Sequence, residues 1–288
     1  MSGSFHVVAA RGRDDTDLLH QIETGGRTVS YREAGDPTAP ALVLLHGIGS
    51  GSLSWAAQLQ GLSARGFRVL AWDAPGYGES EPLAAAAPVA ADYAEALAAF
   101  AAALRLERFS LVGHSLGALM AASFCRLGGK GRVARLVFAS PAAGYGAASA
   151  ETRLRKTEER LAAMARLGPA GLAQERAAAL LSPAASAEAV EKIRAVMRGL
   201  HPDGYTQAVR MLGQADIFAD APHIDVPSLV LCGSADTVTP EVGCRRVAAA
   251  IPGAVYGSLP GLGHASYVED PARFNAVLLR FISGTDKR

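Results

Sequence analysis

A serine stands between two glycines in the stretch SLVGHSLGA, residues Ser110 to Ala118. Gly113 precedes Ser115 by two positions and Gly117 follows it by two. An apolar run, Phe109–Val112, reads as a strand, and Leu116–Leu127 reads as a helix. Ser115 then sits on the sharp turn between them, where the backbone must be strained. Side chains at the flanking positions would collide with strand and helix, which glycine avoids. The strain holds the hydroxyl out above the carboxyl edge of the sheet. The helix start beneath it offers free N–H groups and a positive dipole end to a developing anion. In that context G-x-S-x-G is a nucleophile elbow, and the chemistry is attack of a serine oxygen on a carbonyl carbon.

A serine hydroxyl alone is a poor nucleophile. It needs a base, and the base needs an orienting acid. Such partners lie just past the carboxyl ends of parallel strands. In SLVLCGSAD, Asp236 follows the strand Ser228–Leu231 by a few residues, whereas Asp225 precedes that strand and falls at the wrong edge. No carboxylate closely follows the strand Leu136–Ala139. His264, in LPGLGHASYVEDP, comes after the run Ala254–Leu259 and is the only histidine beyond Asp236. The order serine, acid, histidine is the one expected of this arrangement. The plainer readings are a turn-forming aspartate and a loop histidine with a local hydrogen bond. His46 and His114 are read as packing or supporting residues with side chains directed elsewhere.

An oxyanion needs two donors. One is the backbone N–H of Leu116, directly after the serine. The other comes from HGIGSGSLSW, the loop after Ala41–Leu45, with Ile48 N–H first and Gly49 second. The loop is not a phosphate cradle: no Gly-Lys-Ser/Thr follows, and the glycine spacing is not G-x-G-x-x-G. Histidines and carboxylates form no ligand-spaced cluster, so no metal is expected, and the chemistry calls for no cofactor.

These residues need a rigid frame. Arg27–Ala34 alternates and reads as a half-exposed early strand. Ala41–Leu45, Arg68–Ala71, Phe109–Val112, Leu136–Ala139 and Ser228–Leu231 are apolar runs, as strands buried on both faces are. Across Ala90–Arg105, Tyr93, Leu97, Phe100 and Leu104 share one helical face. Alternating strands and helices predict an α/β fold, a mostly parallel sheet with helices on both faces. The rhythm breaks at about Ala147 and resumes after Leu212. Between lies charged, alanine-rich helical sequence punctuated by Gly168-Pro169, Ser182-Pro183 and His201-Pro202. A crossover rarely needs so many residues. The organisation read is therefore a core of residues 1–146 and 213–288 with a helical cap at 147–212.

Bulk properties fit that plan. The 288 residues suit one large domain or a domain with an inserted subdomain. A formal charge of +1 points to neither nucleic acid nor an anionic membrane. Three cysteines, Cys125, Cys232 and Cys244, make no disulfide framework and suggest a reducing compartment. MSGSFHVVAARGRDDTD is too charged for a signal peptide, and no run reaches the ~18 apolar residues of a membrane span. A soluble cytoplasmic protein acting on a small molecule is expected. The sequence carries no signal for oligomeric state.

Five blocks, LLHGIGSGSLSW, WDAPGYGESEP, LVGHSLGA, GSADTVTP and GLGHASYVEDP, resemble the α/β-hydrolase superfamily in content and order. They are most similar to capped bacterial members: 3-oxoadipate enol-lactonases of aromatic degradation, meta-cleavage-product hydrolases and cofactor-free haloperoxidase-like esterases. The resemblance implies an eight-stranded α/β-hydrolase sheet and a lid at about 147–212. It also implies Ser115 as nucleophile, Asp236 as acid, His264 as base, and Ile48 and Leu116 N–H groups as oxyanion donors. Carbon–carbon hydrolases usually have Gly-Asn-Ser-Met/Phe-Gly at the elbow and a tryptophan after the base. Here Gly113-His-Ser-Leu-Gly117 and Ala265 stand instead. Serine at 115 excludes the aspartate-nucleophile dehalogenases and epoxide hydrolases of this fold. Three readings follow: a carboxylic-ester or enol-lactone hydrolase working through an acyl-enzyme, a carbon–carbon bond hydrolase, and a ligand-binding member without turnover. Tyr145, Arg153, Tyr205, Arg210 and Phe218 are candidates for the pocket wall, each also readable as surface or packing.

Overall fold

The computed structural model describes residues 19–284. The stretch read as lacking a signal peptide, residues 1–17, lies outside them. Eight strands form one sheet: β1 (Leu19–Thr24), β2 (Arg27–Ala34), β3 (Ala41–Leu45), β4 (Arg68–Trp72), β5 (Phe109–His114), β6 (Val133–Ala139), β7 (Ser228–Gly233) and β8 (Val255–Leu259). Their order is β1-β2-β4-β3-β5-β6-β7-β8. β2 runs antiparallel to both neighbours, and every pair from β4 through β8 is parallel.

Successive strand residues point to opposite faces. All six residues of β5 and all six of β7 are buried, so both faces are covered. Helix α1 (Ala56–Ser63) contacts β4, while α2 (Ala90–Ala103) contacts α3 (Leu116–Leu127), which lies against β5. In α2, Tyr93, Leu97 and Phe100 are wholly buried, as their spacing predicts. Leu104 falls at the end of that helix and is only half-buried. The sequence reading of β2 as half-exposed holds only at its ends. Val29, Ser30 and Tyr31 are buried, and Tyr31 meets Phe100 of α2 edge-on at 5.3 Å. β1 had no sequence signal, because LHQIET neither alternates cleanly nor forms an apolar run.

Between β6 and β7 the chain is helical: α4 (Ala150–Arg176), α5 (Ala187–Arg198) and α6 (Pro202–Gln214). Each start is written in the sequence. Ser149 caps α4 by accepting from Thr152 N–H at 3.2 Å, Ser186 caps α5 through Ala189 N–H at 3.1 Å, and Pro202 opens α6. Gly168, at φ 60°, breaks α4 just before Pro169. The segment leaves and rejoins the sheet through one neck. Tyr145 N–H donates to Leu212 O at 3.0 Å and Gly146 N–H to Ala215 O at 2.8 Å. The neck is tight: a Cβ on Gly144 would lie 1.9 Å from Ala215 O. A short helix, α7 (Ile217–Asp220), follows, then α8 (Glu241–Ala250), α9 (Ser266–Glu269) and α10 (Pro271–Ile282).

Candidate active site

Ser115 joins the end of β5 to the start of α3 with φ 50° and ψ −112°, a conformation that is costly for a residue with a Cβ. Its backbone is fixed from both sides: its N–H donates to Ala139 O at 3.0 Å, and its carbonyl accepts from Ala142 N–H at 3.1 Å. The flanking glycines have no room for anything larger. A Cβ on Gly113 would stand 2.6 Å from Gly117 O, and one on Gly117 2.6 Å from Leu45 O. Strand, turn and helix thus wedge Ser115 against the cavity wall that it helps to line.

Asp236 and His264 come from the loops after β7 and β8. His264 Nδ1 lies 2.9 Å from Asp236 Oδ2, with the carboxylate buried beneath the ring. Asp236 also accepts from Val238 N–H, Thr239 N–H and the Thr239 hydroxyl, each at 2.8 Å. Burial alone would raise this carboxyl, but the His264 hydrogen bond and charge, together with the Thr239 backbone, outweigh it and hold the pKa at about 2. Asp236 is therefore an anion that orients the imidazole. With Nδ1 engaged, Nε2 is the nitrogen left for proton transfer. His264 lines the same cavity as Ser115. Asp225 lies before β7, apart from this cluster, as its position in the chain predicts.

The loop after β3 is held by His46. Ala74 N–H donates to its Nε2 at 3.0 Å, so Nδ1 carries the proton and donates to Gly47 O at 2.8 Å. Burial depresses its pKa, in keeping with a neutral ring. The Tyr77 hydroxyl donates to Ile48 O at 2.9 Å and fixes the next peptide. Ile48, Gly49 and Leu116 all border the cavity. As the first residue of α3, Leu116 has an N–H without an intrahelical acceptor.

His114 corrects the sequence reading. Its side chain points into the site, not away from it. Its ring lies 4.7 Å from that of His264 and 4.8 Å from that of Tyr267, and its Nε2–H donates to His264 O at 3.1 Å. Burial and then the neighbouring His264 push its pKa well down, so the ring is neutral. Glu269 is a second support that sequence reasoning missed. Its carboxylate accepts from Gly263 N–H at 2.9 Å and Ser182 N–H at 3.0 Å, tying the His264 loop to the segment between α4 and α5. His114 could have been suspected as a polar residue at the end of an apolar strand; Glu269, followed at once by Asp270, carried no such signal.

The cavity above Ser115 holds about 410 Å³ and is walled by the sheet loops below and α4 to α6 above. Of the pocket candidates, Tyr145 and Tyr205 line it. The others do not: Arg153 donates to Gly146 O, Arg210 to Ala86 O, and Phe218 packs under the Arg246 guanidinium. Arg160 and Arg176 of α4, which the sequence did not single out, line it instead.

A parallel sheet, a serine elbow at its carboxyl edge and a buried Asp–His pair define an alpha/beta hydrolase. Residues 42–277 match the model of the alpha/beta hydrolase family, and the chain belongs to that family of hydrolases. A hydrolase from Pseudomonas aeruginosa PA01 is 30% identical with a TM-score of 0.81, covering 92% of this chain and 98% of that one. The enol-lactonase of Burkholderia xenovorans LB400 is 26% identical with a TM-score of 0.80, covering 91% and 99%. RutD of Klebsiella pneumoniae (strain 342), provisionally named a carbamate hydrolase, is 32% identical over 257 residues, 84% of this chain and 91% of RutD.

Proposed function

We propose that the protein hydrolyses a small-molecule carboxylic ester or lactone through an acyl-enzyme. His264 Nε2 takes the Ser115 proton as Oγ attacks the carbonyl carbon. Asp236 holds the tautomer and stabilises the imidazolium. The N–H groups of Leu116 and Ile48 receive the oxyanion, each such donor contributing about 3 kcal/mol. As the intermediate collapses, the alcohol oxygen leaves with the proton from His264. Water then loses a proton to His264, attacks the acyl carbon and frees Ser115.

The observation that carries this reading is the strained Ser115 elbow sharing a cavity with a histidine 2.9 Å from a buried carboxylate. An enol-lactonase among the similar structures supports it. Residues 147–212 serve as the cap that excludes water and selects substrate, a role favoured by their single neck and by their share of the cavity wall.

Hydrolysis of an aryl-ester and lactone panel tests the proposal against ring-fission diketones. Wild type is expected to turn over esters or lactones faster than diketones, with Ser115→Ala reduced by at least ~10³-fold. Faster turnover of diketones would replace this reading with carbon–carbon hydrolysis.

A further inference from the structure

Two arginines, Arg160 and Arg176, border the cavity and no Asp or Glu does. Two other arginines of the same helix differ. Arg155 pairs with Glu159 at 2.6 Å and Arg166 with Glu175 at 3.8 Å. Arg160 forms no such pair with a described carboxylate. Its Nη2 lies 3.4 Å from the Tyr145 hydroxyl, and the Tyr205 phenol stands beside it. Tyr205 is itself buried on α6. The same cavity wall also carries the apolar side chains of Leu172, Ile193 and Met197.

A half-buried cation whose polar neighbours are two tyrosine hydroxyls, with no carboxylate paired to it among the described residues, has lost water without gaining a counter-charge. A ligand anion supplies one. The guanidinium fork presents paired donors that match a carboxylate, and each phenol can add another. We propose that the substrate carries a carboxylate remote from its scissile carbonyl, held by Arg160 with the hydroxyls of Tyr145 and Tyr205. Exposed Arg176 draws the anion toward the opening. The inference rests on the acyl-transfer reading of the same cavity. It narrows the substrate class to small anionic esters or lactones, with an apolar span between carboxylate and reacting carbon.

Two ester pairs test it: 4-nitrophenyl glutarate against its methyl-capped form, and 4-acetoxybenzoate against its methyl ester. Wild type is expected to favour the free carboxylate by about tenfold or more in kcat/KM in at least one pair. Arg160→Gln brings that ratio near one, and Arg160→Lys restores part of it. Thermal melts identify any variant that fails to fold; Tyr205→Phe, expected to shrink the ratio several-fold, then takes its place. Calorimetry with glutaranilic acid and its neutral amide reads the same contact without turnover, and the acid is expected to bind about tenfold tighter only when Arg160 is present. Equal rates and equal affinities in wild type, or a preference that survives Arg160→Gln, overturn the proposal. Absence of turnover together with absence of fluorophosphonate labelling marks failure of the acyl-transfer reading itself, and calorimetry alone then decides the carboxylate site.

Discussion

His114 Nε2–H donates to the backbone carbonyl of His264 at 3.1 Å, so one histidine positions the peptide of the other. The donor sits one residue before Ser115, at the end of β5. The elbow and the His264 loop are thereby tied across 150 residues of sequence. The His114 ring also fills the space between Trp55 and His264, at 6.4 and 4.7 Å from their rings.

Replacing that ring with phenylalanine keeps an aromatic ring, slightly larger, and removes the donor. His114→Phe is expected to cost about 1–3 kcal/mol of stability, because the His264 carbonyl loses its partner in a buried place. Ester kcat should fall about tenfold while KM changes less, since the bond positions the base. Urea unfolding and steady-state kinetics read the two effects. A fall in stability with kcat untouched would reduce His114 to a packing residue.

The elbow glycines make a sharper prediction. Gly117→Ala places a Cβ 2.6 Å from Leu45 O and 2.8 Å from His46 O, both backbone atoms that cannot swing aside. Strand β3 or helix α3 must shift. The expected loss is about 1–3 kcal/mol in unfolding free energy, accompanied by loss of ester turnover. An active and equally stable variant would contradict this close approach of β3 to α3.

Asp236 links activity to acid stability. Its folded pKa of about 2 lies below the ordinary carboxylate value. A depressed pKa contributes stability above the unfolded value, near ~4, and that contribution disappears as pH falls toward 2. The stability difference between wild type and Asp236→Asn is expected to shrink by roughly 2 kcal/mol between pH 6 and pH 2, measured by chemical denaturation. At neutral pH the variant should lose roughly 10³- to 10⁴-fold in kcat through the wrong tautomer. A stability gap that does not change with pH would mean the carboxylate is not held ionised by its neighbours.

Much of this site was legible because it is local. G-x-S-x-G, the loop glycines and an aspartate just past a strand are fixed by short-range geometry, and the helix Leu116–Leu127 falls where the pattern places it. What could not be read depends on how distant elements meet. Arg160 belongs to a run of charged helical residues, ETRLRKTEERLAAMARLG, in which several arginines look alike. Packing of α4 against α6 turns Arg160 inward and leaves Arg155 at the surface. A clue was present: Arg160 lies four residues before the buried Met164, on the same helix face. The direction of the His114 side chain and the reach of Glu269 to Ser182 likewise follow from tertiary contacts.

The central claim is that Ser115 is an activated nucleophile. Intact mass spectrometry after treatment with a fluorophosphonate, followed by peptide mapping, tests it most directly. Wild type is expected to form a single adduct, on the peptide carrying Ser115, within minutes, and Ser115→Ala is expected to form none. A folded wild type that stays unmodified, or an adduct on any other residue, would contradict it.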